Sequence, residues 1–293
     1  MVARLRRRYI VTASARWAQS ISAAPQGCSE PLRNLGRKIR LTLLIVFLAP
    51  VAAKAVLWSF DEPRNWQTAR WSSAGILPEA ASDREARIVV FAARTGGWRG
   101  IFAVHTWIVI KPADADAYTR YEVTGFGRPL RINGRPPDGY WLGDRPRIVA
   151  DIRGARAAAA IPKIEAAVVA YPYTEYGDYR MWPGPNSNTF VATVLRAVPE
   201  LEIAMPPEAI GKDYRVDGAL FGTTESRTGI ELNLYGLLGI RIGRVEGIEV
   251  NVLTLVAGID AWHPAVKIPA FGRIGLDRMA PPYAVAEPQA PGQ

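Results

Sequence analysis

Few residues in this chain invite a chemical reading. His105 stands in the middle of the apolar stretch Ile101–Ile110 (IFAVHTWIVI), and Ser187 stands where a loop closes on Gly184 and Pro185 and an apolar stripe begins. A histidine held on a rigid strand is a general-base candidate. A serine at a helix N-terminus meets unsatisfied backbone N–H groups and the positive end of the helix dipole, the setting of an oxyanion site. Its hydroxyl becomes a nucleophile only beside a base, so His105 and Ser187 are read together. A third group would orient the imidazole. Glu122, on the next strand, is the candidate, and hairpin register decides whether it shares a face with His105, because a one-residue slip turns it away. Trp107, Trp182, Asn186 and Asn188 are read as binding residues around this pair. Glu175 and Asp178, ahead of the helix, read as solvated loop acids.

Each of these residues also has a plainer reading. A buried histidine needs a hydrogen-bond partner, and a backbone carbonyl would serve. Ser187 and Asn188 are both good helix N-caps, so cap and nucleophile stay open. The chain has two histidines, His105 and His263, without ligand spacing, and one cysteine, Cys28, near the N-terminus. No metal site and no cofactor is expected on that basis. The turn Thr95–Gly100 (TGGWRG) lacks the strand-to-helix context of a phosphate-binding loop and reads as structural.

The elements that must hold these residues can be read from periodicity. Arg87–Ala93 reads as a strand. Ile101–Ile110 is apolar on both faces, as a buried central strand is. Tyr118–Thr124 alternates, and Arg147–Ile152 is a further strand. Arg156–Tyr171 is an Ala-rich helix that either starts at Pro162 or kinks there. Asn188–Val198 is a second helix with one apolar stripe, stopped by Pro199. Gly229–Gly258 has short apolar runs cut by glycine, which suits strands with tight turns. Ala261–Gly275 either wraps the core or lies against a bilayer surface. The expected fold class is α+β, with 61–279 as a single domain and a Pro-rich tail at 280–293.

Charge separates the N-terminus from this body. Residues 1–40 carry nine Lys or Arg and one acid, whereas the remainder carries 27 basic and 26 acidic residues. The near-neutral body excludes a nucleic-acid partner on electrostatic grounds. The basic flank, read as disordered, leads into an apolar run at 41–60, interrupted by Lys54. Two readings stand: a membrane anchor of about 20 residues, or a signal sequence cleaved near Ala53–Ala55. Both keep the positive flank inside and place the body outside the cytoplasm, on the periplasmic side of a bacterial inner membrane.

Two resemblances add to this. A strand with a central His, followed by further strands and N-x-x-x-F opening a helix, resembles the circularly permuted papain-like superfamily of lecithin–retinol acyltransferase and cell-wall endopeptidase relatives. It covers about 88–198. There a cysteine would stand at Ser187, so the chain departs from that pattern at the nucleophile itself. The blocks ARTGGWRGIFAVHTWIVIKP, YPY, WPGPNSNTFVA, AIGKDY and VAGIDAW resemble an uncharacterised bacterial membrane-anchored family, domain of unknown function 3750, over about 58–279. The first implies a papain-like antiparallel sheet; the second implies no activity. The expected function is an envelope protein binding a cell-wall or lipid ligand in a cleft at His105 and Ser187 without catalysis. The alternative is a serine-dependent hydrolase or acyl transferase acting on a cell-wall peptide or a lipid acyl group.

Overall fold

Leu35, Ile39 and Leu43 recur at helical spacing, and the computed structural model, which describes residues 29–61 and 66–276, carries helix α1 (Ser29–Leu43) there. A π-helical turn (Leu44–Leu48) and helix α2 (Ala49–Trp58) follow. Arg33–Trp58 is thus one helix of 26 residues, apolar enough to cross a membrane. The disordered flank expected over 1–40 is corrected for 29–40, where apolar residues at every fourth position extend the helix backward; residues 1–28 and the expected tail at 280–293 lie outside the described residues. The chain forms two compact units, Met1–Ile45 and Val46–Gln293.

The second unit holds two antiparallel sheets. In the first, β1 (Arg87–Arg94) and β2 (Val104–Lys111) are central, flanked by β3 (Thr119–Val123), β4 (Leu130–Ile132) and β5 (Arg147–Arg153). Both central strands are buried along nearly their whole length, because each face of the sheet is covered. Successive side chains alternate between faces. Ile88, Val90, Ile108 and Ile110 pack against helices α3 (Gly154–Val169) and α4 (Ser187–Arg196). Val89, Phe91, Trp107 and Val109 pack against Trp141, Trp71 and Leu77 from the loops of the other side.

Three boundaries differ from the sequence reading. The strand expected from Ile101 starts at Val104, because Gly97–Ile101 forms a 3-10 turn. Helix α3 starts two residues before its expected first residue and runs through Pro162, the second of the two alternatives; its buried stripe of Ala157, Ala160, Ile161, Ile164 and Val168 outweighs one lost backbone hydrogen bond. Helix α4 opens one residue early, for a capping reason given below.

The second sheet is a seven-stranded meander, β6 (Phe221–Thr223), β7 (Gly229–Leu234), β8 (Leu238–Gly243), β9 (Gly247–Val252), β10 (Leu255–Asp260), β11 (Ala265–Ile268) and β12 (Gly272–Gly275), each strand paired with the next. The segment Ala261–Gly275, open in the sequence reading, supplies its last two strands. Close strand approach depends on glycine: a Cβ on Gly229 would stand 2.2 Å from the Ile242 carbonyl oxygen. The face turned to the protein carries Glu231, Asn233, Arg241, Glu249, Asn251 and Lys267, all buried.

Candidate functional site

The β2–β3 register pairs Ile108 with Tyr121 and Val109 with Arg120, so alternation puts Glu122 on the face that carries Trp107 and His105. The open question of register is thereby answered. His105 Nε2 lies 3.0 Å from Glu122 Oε2, and Arg120 Nη2 donates to the same oxygen at 2.6 Å. The imidazole lies on Trp141 with ring centroids 3.6 Å apart and planes within 13°. The Arg135 guanidinium lies 5.4 Å from the Trp141 ring and 3.6 Å from that of Trp71. Trp107, 4.1 Å beneath the Arg120 guanidinium, donates its indole N–H to the Pro137 carbonyl at 2.8 Å.

Protonation follows from these contacts. Burial pushes the His105 pKa below its ordinary value, further than the Glu122 hydrogen bond pulls it back. Burial would raise the Glu122 carboxyl, but the His105 hydrogen bond and the Arg120 charge together lower it to about 2. An ionised carboxylate only accepts, so neutral His105 donates from Nε2 and keeps its lone pair on Nδ1. This is the base-and-orienter half of a triad, but the ring is 3% exposed and one side of it is closed by Trp141.

Ser187 belongs to the other face. The residue of β2 that meets helix α4 is Thr106, whose hydroxyl donates to Asn188 Oδ1 at 2.8 Å. Asn188 Nδ2 donates to the carbonyls of Val104 and Ile210 at 2.9 and 2.8 Å, so Asn188 ties β2 to the 206–214 segment. The helix cap is Asn186, not Ser187 or Asn188 as the sequence reading had it. Its Oδ1 accepts from the backbone N–H of Asn188 at 2.9 Å and of Thr189 at 3.2 Å, and Thr189 Oγ1 accepts from the Asn186 N–H at 3.2 Å. Asn186 wins because Nδ2 also donates to the carbonyls of Met181 and Ile210, contacts no serine has the reach to make. Gly211 must be glycine for the same reason: its φ is +94° and a Cβ would stand 2.3 Å from Asn186 Nδ2. Ser187 is then the first residue of the helix, and it is buried.

The candidate residues therefore form three groups. His105, Glu122 and Trp107 meet on one face of the first sheet. Asn186, Ser187 and Asn188 meet on the opposite face. Trp182 points elsewhere, donating its indole N–H to Thr254 Oγ1, in the β9–β10 turn, at 3.0 Å. Of the loop acids, Glu175 pairs with Arg128 at 3.3 Å, both exposed, and Asp178 accepts the Glu175 N–H.

Sequence reasoning missed Arg120, Arg135 and Trp141, which have no motif, and a charge network under the second sheet. Cross-strand neighbours Glu231, Arg241 and Glu249 alternate in sign along one row. Arg241 reaches Asp213 at 3.0 Å, Glu225 at 2.8 Å and Glu231 at 2.7 Å. Lys212 reaches Glu249 at 2.7 Å and Asp213 at 3.0 Å, and Lys267 also pairs with Glu249. Burial alone would raise the Glu225 carboxyl, yet Arg196 and Arg241 hold it at about 2. The available signal was alternation: in 229–252 every charged residue of a strand falls at the same parity.

Residues 85–214, from just before β1 to just beyond helix α4, match the model of the family described as "Protein of unknown function (DUF3750)". The match covers less than half of the chain and ends before the second sheet begins. No curated protein and no solved structure matches the chain, and the likeness to the permuted papain-like superfamily gains no support from these comparisons.

Proposed function

We propose that this chain is a membrane-anchored protein of the bacterial envelope that binds a lipid or cell-wall ligand and catalyses no reaction. The anchor is the helix Arg33–Trp58. Its basic side holds the N-terminus in the cytoplasm and leaves the two sheets on the periplasmic face of the inner membrane. The ligand reading carries over from the sequence. What the geometry adds is the case against catalysis.

One observation carries that case. Thr106 is the β2 side chain that meets helix α4, while the neighbouring His105 turns to the opposite face, bound to Glu122 and covered by Trp141. A base serving Ser187 would have to reach its hydroxyl directly or through one water, whereas His105 leaves β2 on the face opposite to the one that meets helix α4. A fluorophosphonate probe, which marks activated serines, tests this on the purified full chain. The reading predicts no labelling. Labelling that Ser187→Ala abolishes would restore the hydrolase or acyl-transferase alternative.

A further inference from the structure

The second sheet carries its polarity in reverse. On an ordinary one-sided antiparallel sheet the apolar face is buried and the polar face is wet. Here the row Glu231, Arg241, Glu249 is buried, and the alternate residues, which are apolar, face outward. The register sets them in continuous rows. Ile230, Ile242, Ile248, Ile259, Val266 and Ile274 are cross-strand neighbours in turn, and Leu232, Ile240 and Val250 form a parallel row. Leu232 is 56% exposed and Ile240 41%. Seven strands at about 4.8 Å spacing and about 20 Å length give a face of roughly 600–700 Å² in projection. That is as large as the largest apolar patches of soluble monomers, about 300–600 Å².

The structure also shows what lies beside this face. The last turns of the membrane-length helix, which belong to the second unit, touch the rest of that unit at two points. Lys54 Nζ lies 5.6 Å from the ring centre of Phe271, in the β11–β12 turn. The Trp58 ring lies so close to Gly100 that a Cβ there would stand 2.5 Å from it. A helix that spans a bilayer therefore holds the β11–β12 end of the sheet at the depth of its own final turns. Trp262 and Tyr235, at the turns bordering the face, are exposed, and such rings favour the headgroup level of a membrane.

We propose that the outer face of the seven-stranded sheet lies on the bilayer, with its isoleucine and leucine rows in contact with lipid acyl chains. This rests on the anchoring reading given above and adds a second, extended membrane contact to it. The buried charges stabilise the sheet from behind, so the domain offers lipid an apolar surface without a hydrophobic core on that side.

The test uses the full chain in phosphatidylethanolamine–phosphatidylglycerol vesicles. Cys28 is the only cysteine, so in a Cys28→Ser background single probes are placed by Ile240→Cys, Leu44→Cys and Val169→Cys, each carrying an environment-sensitive fluorophore. The proposal predicts that the probes at 240 and 44 are blue-shifted and quenched by spin-labelled lipid, and that the probe at 169, on the end of helix α3, is neither. Quenching at 44 but not at 240 overturns the sheet contact and leaves the anchor standing. Quenching at neither position overturns both. A probe at 240 that is blue-shifted but unquenched by lipid, together with disulfide-linked dimers of unlabelled Ile240→Cys, overturns the lipid contact in favour of a second copy of the chain.

Discussion

At the scale of single residues, the consequences divide by face. Asn186 holds two backbone N–H groups of helix α4 and two loop carbonyls, so Asn186→Ala is expected to cost about 2 kcal/mol, the upper end for a lost cap. Ser187→Ala removes a hydroxyl that caps nothing and is expected to stay within about 0.5 kcal/mol; chemical denaturation of the two variants measures the contrast, and equal losses would contradict the capping assignment. His105 gives a pH dependence whose sign is fixed. Its folded-state pKa is lowered by burial, so the unfolded chain takes up a proton that the folded one refuses. Stability from this group is complete above the ordinary value of 6.5 and is lost as pH falls below it. Glu122, lowered from 4.5 to about 2, acts in the same direction across that lower window. The melting temperature of the native chain should therefore fall more steeply between pH 7 and pH 5 than that of His105→Gln; parallel curves would count against a buried neutral imidazole.

At the scale of elements, legibility followed the strength of the pattern. The strand around His105 was readable because an apolar run buried on both faces has few other uses, and β1, β3 and β5 stand within two residues of their expected bounds. The face of His105 was not readable, since it depends on which residue of β2 meets the helix, and Thr106 takes that place through Asn188. The cap was misplaced because Ser187, Asn188 and Asn186 are all competent in sequence, and only tertiary partners such as Ile210 and Met181 separate them. In the second sheet the strands were legible from short apolar runs cut by glycine, but the inward side was not. That side is chosen by Lys212, Asp213 and Arg196, which lie outside the sheet. Removing one member of this buried network leaves the others charged and unpaired. Arg241→Met is therefore expected to cost about 3–5 kcal/mol, far more than Arg128→Met at the exposed pair with Glu175. Urea unfolding of both variants checks this, and similar losses would argue that the network is solvated.

At the scale of the whole molecule, the chain joins a membrane-length helix to a five-stranded sheet with its helices and then to a seven-stranded sheet with its apolar side outward. The first sheet separates the two halves of what resembled a catalytic site. One half is the His105–Glu122–Arg120 cluster under Trp141; the other is the capped start of helix α4. Their separation is the central claim, and the imidazole itself reports on it. With two histidines in the chain, nitrogen NMR of the full-length protein in detergent, with His105 assigned by His105→Gln, reads its tautomer and titration directly. The account predicts a neutral ring protonated on Nε2, a titration displaced below the ordinary histidine value, and no change on Ser187→Ala. A ring that titrates near its ordinary value and shifts when Ser187 is replaced would place the two side chains in one site and contradict the account.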